Sequence, residues 1–358
     1  MISRRHFLAS GASALAVPAL TSSSAAQDRR SLKAIAASKG FVFGAAAASY
    51  ELKHRDFVLA ALHDCAQLVP EYEMKRDALE PNRGQYNFTD LDALFAFAAL
   101  NGLSMRGHPL VWYAANPPWL APALQARRDE RLMTGYIQTL MRRYTMASVD
   151  VVNEAIATDG NGLRPSPWLN AFGPRYIDMA FHAARAANPR AKLIYNDWGC
   201  EQGPNDRFRA TTLKLLDGLI ARRVPIDGLG LQGHLEAFGP RVDQKKLRDF
   251  LNEVRARGLS ILVTELDVLD SGGPSDIAAR DRGVADEARR FLDVVLDNPA
   301  TNAVLTWSLS DRYIDPPEEW KLKLMGWRFR KLPYDAQMRR KPLWNALATS
   351  FAGRRSFY

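Results

Sequence analysis

Carboxyl, imidazole, carboxamide and indole groups gather in this chain at one kind of place, the end of a short apolar run. Seven such ends carry Glu71-Tyr72-Glu73, His108 with Trp112, Asn153-Glu154, Asn196-Asp197-Trp198, Gln232 with His234, Glu265 with Asp267, and Trp307 with Asp311. Two carboxyl groups facing one pocket can divide the work of cleaving a bond. One protonates a departing oxygen while the other, ionised, acts from across the reacting centre. That division requires neighbours that push the two pKa values apart, and His234 with Asp267 suits the purpose. Indoles add flat apolar faces, and lysines and carboxamides add polar contacts, as the binding of a polar ligand requires.

These groups come together only if the elements that carry them share a face. The apolar runs are Phe41–Ser49, Gln67–Glu73, Ser104–Trp112, Ser148–Ile156, Lys192–Trp198, Gly228–Leu235, Ser260–Val268 and Ala303–Ser310. Several are continuous rather than alternating, as strands of a parallel sheet covered on both sides should be. Leu91–Asn101, Tyr176–Asn188, Asp206–Arg222 and Lys245–Gly258 read as helices between them. Eight β/α repeats in this length predict a single (β/α)8 TIM barrel, which collects its strand C-termini on one face. The expected organisation is a polar lead-in over 27–40 and one catalytic barrel over 41–358.

Residues 1–26 stand apart from the fold. Ser3-Arg4-Arg5-His6-Phe7-Leu8 precedes an Ala-rich apolar stretch and the small residues Ser22-Ser23-Ser24-Ala25-Ala26, the pattern of a twin-arginine export signal. The stretch is too short for a permanent transmembrane anchor, which needs about 20 apolar residues. The expected product is a periplasmic or secreted protein acting as a monomer. The net charge of +9 falls by two, to +7, when Arg4 and Arg5 leave with this segment. Basic pairs such as Arg127-Arg128 and Arg142-Arg143 are scattered among acids, with no basic stripe for tracking phosphates, so nucleic acid is not an expected partner. Cys65 and Cys200 allow at most one bridge and no thiolate cage. His63, His108, His182 and His234 show no close-spaced ligand set, so neither metal nor cofactor is expected.

Taken in order, the blocks resemble glycoside hydrolase family 10, the endo-β-1,4-xylanase family. Gly107-His108-Pro109-Leu110-Val111-Trp112 is similar to the family's third-strand block, Asp150-Val151-Val152-Asn153-Glu154-Ala155 to its acid/base block, and Thr264-Glu265-Leu266-Asp267-Val268 to its nucleophile block. Gly230-Leu231-Gln232-Gly233-His234-Leu235 and Asn196-Asp197 match further strand ends, and the likeness runs from about Phe41 to Leu347. The resemblance implies that Glu154 is the acid/base and Glu265 the nucleophile of a retaining endo-hydrolase of xylan or a related β-1,4-glycan. Such enzymes hold the two carboxyl groups about 5 to 5.5 Å apart and pass through a covalent glycosyl-enzyme. It further implies that His234 stabilises the nucleophile with Asp267 orienting it, that Asn153 bonds the sugar 2-hydroxyl, and that Glu71, Lys75, His108, Gln232, Trp112 and Trp307 bind the sugars.

The sequence also departs from the family pattern. Tyr72 stands where the family has asparagine, Arg76 where it has tryptophan, Tyr113 for histidine, Ala115 for glutamine, and Trp198-Gly199 for Tyr-Asn. The second tryptophan of the strand-eight block is replaced by Asp315. A decorated xylan or a bacterial exopolysaccharide is therefore an alternative substrate, and a carbohydrate-binding barrel without catalysis is the alternative of another class.

Overall fold

The computed structural model describes residues 30–314 and 320–355, so the leader expected over 1–26 lies outside the described residues. Ten strands form one parallel sheet: β1 (Val42–Ala47), β2 (Gln67–Pro70), β3 (Ser104–Gly107), β4 (Val111–Trp112), β5 (Ser148–Asn153), β6 (Lys192–Asp197), β7 (Gly228–Leu231), β8 (His234–Glu236), β9 (Ser260–Leu269) and β10 (Thr301–Thr306). Their order, β10-β1-β2-β3-β5-β6-β7-β9, closes through pairing of β10 with β9. β4 continues β3 along β5, and β8 continues β7 along β9, so the barrel has eight staves, two of them broken. The result is the single (β/α)8 barrel that the eight apolar runs predict.

The breaks serve the site. At the second, Gly233 takes φ 77, a left-handed conformation open to glycine at little cost. Gln232 and His234 on either side are thereby turned toward the strand ends. Leu110 N, at the first, is retained by Asp150 O at 2.9 Å.

Successive strand residues face opposite ways, which builds two apolar layers. Ala46, Val69, Ile194, Leu262 and Leu305 fill the barrel, while their neighbours Leu68, Leu193, Ile261 and Val304 pack outward against the helices. The four expected helices are Thr89–Leu100, Tyr176–Ala187, Asp206–Ala221 and Gln244–Ala256. Arg55–Asp64, Arg131–Arg143, Ile277–Val295 and Pro342–Gly353 join them. Helix Arg131–Arg143 shows the rule they share, burying Met133, Tyr136, Ile137, Leu140 and Met141 along one stripe.

Part of the segment read as a polar lead-in is a helix, Leu32–Ser38, whose Leu32 and Ala36 are fully buried. Of the residues in this helix only Lys33 and Ser38 are polar. Buried Asp64 fastens it: Oδ1 accepts from Leu32 N at 3.0 Å, and Oδ2 accepts from Trp344 Nε1 at 2.7 Å and Tyr334 OH at 2.5 Å. One carboxyl group thereby ties the first helix of the described chain to Tyr334 and to Trp344 of the last helix. Cys65 and Cys200 are buried and free, so the one bridge the sequence allows is not formed. Among the described residues, no helix is long and apolar enough to cross a membrane.

Candidate active site

Parallel pairing brings the C-terminal ends of β2 to β10 to one face, and the predicted site residues meet there. Glu265 lies within β9, almost fully buried. Its Oε1 accepts from Asn196 Nδ2 at 2.7 Å. Two imidazoles flank the carboxylate, with His234 Nε2 3.4 Å from Oε2 and His108 Nδ1 3.7 Å from Oε1. Each is backed by an acid that is itself held by a cation. His108 Nδ1 donates to Asp150 at 2.9 Å, and Asp150 pairs with buried Arg106. His234 Nδ1 donates to Asp267 at 2.8 Å, and Asp267 accepts from Lys331 Nζ at 2.6 Å.

The electrostatics follow from these two chains. Burial pushes the Glu265 carboxyl up, but His108, His234 and the Asn196 amide outweigh it and hold the group below the ordinary glutamate value. For His234 burial acts downward, yet Asp267 and Glu265 raise it to about 10, so it is a cation at neutral pH. Burial likewise opposes ionisation of Asp267, and Lys331 with His234 reverses this, keeping it well below the usual carboxylate range.

Glu154 follows the last residue of β5 and is also nearly buried, but its surroundings differ. Its backbone sits at φ 53, a strained conformation for a side-chain-bearing residue, and is anchored by Glu154 N donating to Asn196 O at 2.8 Å. Oε1 accepts from Gln232 Nε2 at 3.0 Å and Asn153 Nδ2 at 3.2 Å. Asn196 joins the two glutamates, since its Nδ2 reaches both Glu265 and, at 2.9 Å, Asn153 Oδ1. Thr264 Oγ1, donating to Asn196 Oδ1 at 2.7 Å, fixes which way that amide points. Gly230 is required opposite it, because a Cβ there would stand 2.2 Å from Asn196 Oδ1.

The binding residues form the adjoining wall. Lys75 Nζ lies 5.3 Å from the Trp112 ring, 5.9 Å from Trp307 and 5.4 Å from Tyr72. His108 meets Trp307 edge-on at 5.2 Å, which joins this wall to Glu265. Glu71 stands at the end of β2, its backbone N donating to Ala47 O at 3.1 Å, with its charge felt by Lys331. Tyr72 is half exposed and its hydroxyl donates to Asp77 at 2.9 Å. Trp168 and Trp344 are core residues, and Trp327 packs over Arg280. Asp315 lies outside the described residues.

Sequence reasoning missed the supporting groups Arg106, Asp150, Arg164 and Lys331. Asp150 was in view, three residues before Asn153, but only its distance from His108 shows its use. Among the described residues, the potential metal ligands that converge are His108, Asp150 and Glu265, with donor atoms within 4.8 Å. Arg106 and the His108–Asp150 hydrogen bond occupy that group, which is the chemistry of a charge network rather than of a ligand set facing a cavity.

The chain and its fold are similar to known proteins. A family model described as glycosyl hydrolase family 10 matches residues 31–350. Endo-1,4-beta-xylanase 1 of Humicola insolens is 33% identical over 302 residues, covering 82% of this chain and 67% of that protein. Endo-1,4-beta-xylanase C of Paenibacillus barcinonensis is 33% identical over 308 residues, 76% of this chain, which spans about a quarter of that longer protein (27%). Among solved structures, xylanase 10B from Thermotoga petrophila RKU-1 in complex with xylobiose superposes with a TM-score of 0.79 at 28% identity, covering 90% of this chain and 97% of that one.

Proposed function

The chain belongs to glycosyl hydrolase family 10, and on that premise we propose that the pocket at its strand ends cleaves internal β-1,4 bonds of xylan with retention of configuration. The observation that carries this reading is the contrast between two buried carboxyl groups joined through Asn196, one flanked by imidazoles and one by amides. Glu265, held ionised, attacks the anomeric carbon. Glu154 Oε2 gives its proton to the departing oxygen, and the glycosyl group passes to Glu265. Water then attacks from the vacated side, giving its proton to Glu154 and displacing Glu265. Asn153 and Gln232 hold the acid in place and reach the sugar hydroxyls, while Lys75, Glu71, His108, Trp112 and Trp307 bind the flanking xylose units.

Proton NMR of early products from linear xylo-oligosaccharides tests the reaction. β-Anomers appearing first are expected, and α-anomers would overturn retention. Binding to xylan without release of reducing ends would establish the non-catalytic barrel instead.

A substituted chain is the second reading, favoured by the exposed Tyr72 ring and the small Ala115 in place of polar side chains. A site without those donors leaves hydroxyls unrecognised and makes room for a side group. Tyr72→Asn with Ala115→Gln should then shift preference toward linear xylan, whereas a plain loss of activity would refute the reading. Export by the twin-arginine route rests on Arg4 and Arg5, and replacing both with Lys should retain the folded enzyme in the cytoplasm.

A further inference from the structure

On the side of Glu154 away from its two amide donors lies Arg164. A tight excursion after β5 returns the chain there: Ile156 bridges Leu163, and Arg164 N donates to Ala155 O at 2.7 Å. The guanidinium is nearly buried and rests over the Tyr113 ring at 4.4 Å. Its Nε donates to Glu154 O at 3.1 Å and Ile156 O at 3.2 Å, bracketing the residue held at φ 53. Nη2 is buried without a hydrogen-bond partner and stands 3.9 Å from Glu154 Oε2. Oε1 already accepts two amide donors, so Oε2 is the oxygen open to carry and release a proton.

We propose that Arg164 is a positioning residue for Glu154, pinning the strained turn that aims the carboxyl and presenting Nη2 to Oε2 once that oxygen has lost its proton. The inference rests on the reading of Glu154 as acid/base. When the glycosidic C–O bond breaks, the Oε2–H proton leaves with the departing oxygen and the electron pair stays on the carboxylate. In the second half, an O–H bond of the attacking water breaks and its proton returns to Oε2 as the new C–O bond forms, while the C–O bond to Glu265 breaks and its electron pair returns to that carboxylate. The carboxylate exists between these steps, and at 3.9 Å the guanidinium needs only a small movement to meet it. A buried donor without a partner is costly, which gives Nη2 a physical reason to make that contact.

Other groups facing Glu154 supply no such charge. Fully buried Asp197, from β6, has its carboxyl held well above the ordinary range by burial, with the Glu154 charge adding to that effect. Tyr176 packs nearby with its phenol likewise pushed up by burial. Glu265, with His108 and His234, lies across the Asn196 link. Among the described residues, Arg164 is the cation within 4 Å of the Glu154 carboxyl.

The test uses the full chain carrying Arg164→Met and, because Met removes the backbone brackets too, Arg164→Gln, which keeps donors without charge. Both lose the charge that meets the carboxylate between the two steps, so the second half should slow more than the first. On aryl xylobiosides with activated leaving groups, where the second half limits turnover, kcat should fall about 10- to 100-fold. Equal losses on activated and poor leaving groups in both variants would make Arg164 a backbone strut and overturn the proposal. Glu154→Ala separates the two failures. If that variant loses nothing specific to poor leaving groups, it is the acid/base reading of Glu154 that falls.

Discussion

Glu265 faces two imidazoles, each backed by an aspartate that a cation holds in turn, whereas Glu154 has two neutral amides on one oxygen and a guanidinium beyond hydrogen-bond reach of the other. Their backbones differ as well. Glu265 lies inside a strand, at a register shift between the pairs Val263–Val304 and Leu266–Thr306, and Glu154 sits at a strained turn beyond a strand end. The comparison teaches that the fold spends charge on one carboxyl and geometry on the other. A buried carboxylate that must stay ionised needs paired charge, because an isolated one would neutralise. A carboxyl that must pass a proton back and forth needs aim and freedom from a permanent counter-ion.

The most severe way to probe the comparison is to delete its charged half. Glu265→Ala should lower kcat roughly 10⁴-fold or more on every substrate, because no other group can form the covalent intermediate. Steady-state rates on aryl xylobiosides and xylan check this, and a loss confined to poor leaving groups would exchange the two roles.

Deleting the other half should produce a selective defect. Glu154→Ala should lower kcat/KM about 10²–10⁴-fold on substrates with poor leaving groups and far less on activated aryl glycosides, which depart without a proton, while kcat on the activated ones falls because the second half loses its base. Equal losses would erase the distinction between the two carboxyls.

A smaller effect should follow from thinning the charge around Glu265. Its depressed carboxyl keeps the nucleophile ionised below the ordinary 4.5, so activity persists as the pH falls. His234→Ala removes one stabilising cation, and the acid limb of kcat/KM should move to higher pH by about one unit. An acid limb that stays in place would show that His108 and Asn196 suffice.

The slightest expected effect comes from a third buried carboxyl, whose neighbours among the described residues are the acids Glu71 and Glu73 and the Ser308 hydroxyl. Glu51 accepts from Ala48 N at 2.9 Å, lies near Glu71 and Glu73, and is raised by burial from 4.5 to about 8. The unfolded chain ionises this group near 4.5 while the fold keeps it protonated, so its contribution is full below 4.5 and lost as pH rises through 8. Glu51→Gln should remove that dependence and shrink the drop in Tm between pH 5 and pH 8 by about 2–4 °C. An undiminished drop would place the pH sensitivity elsewhere.

The barrel was legible because its signal is local. Runs such as Ser148–Ile156 are apolar enough to mark strands wherever they finish, and Asn153, Glu154, Gln232, His234 and Glu265 stand at their ends. The helix Leu32–Ser38 was less legible, since a segment of 7 residues with two fully buried positions is too short to show a helical period. The breaks at His108–Leu110 and Gln232–Gly233 carry local marks, Pro109 and Gly233, but neither residue type by itself tells a broken stave from a bend within one strand.

What the sequence alone determined is the number of strands, their parallel arrangement and the residue types brought to one face, since periodicity and apolar length depend on near neighbours in the chain. Which charges stand behind which catalytic group was decided by the tertiary structure. Lys331 meets Asp267 across 64 residues, Asp150 meets His108 across 42, and Arg164 comes back to Glu154 through the turn Asp159-Gly160-Asn161-Gly162, which marks a reversal but not what the returning side chain meets. Such pairings depend on strand register and loop path, and Coulomb interactions act through space, so only the closed barrel fixes the distances that set them.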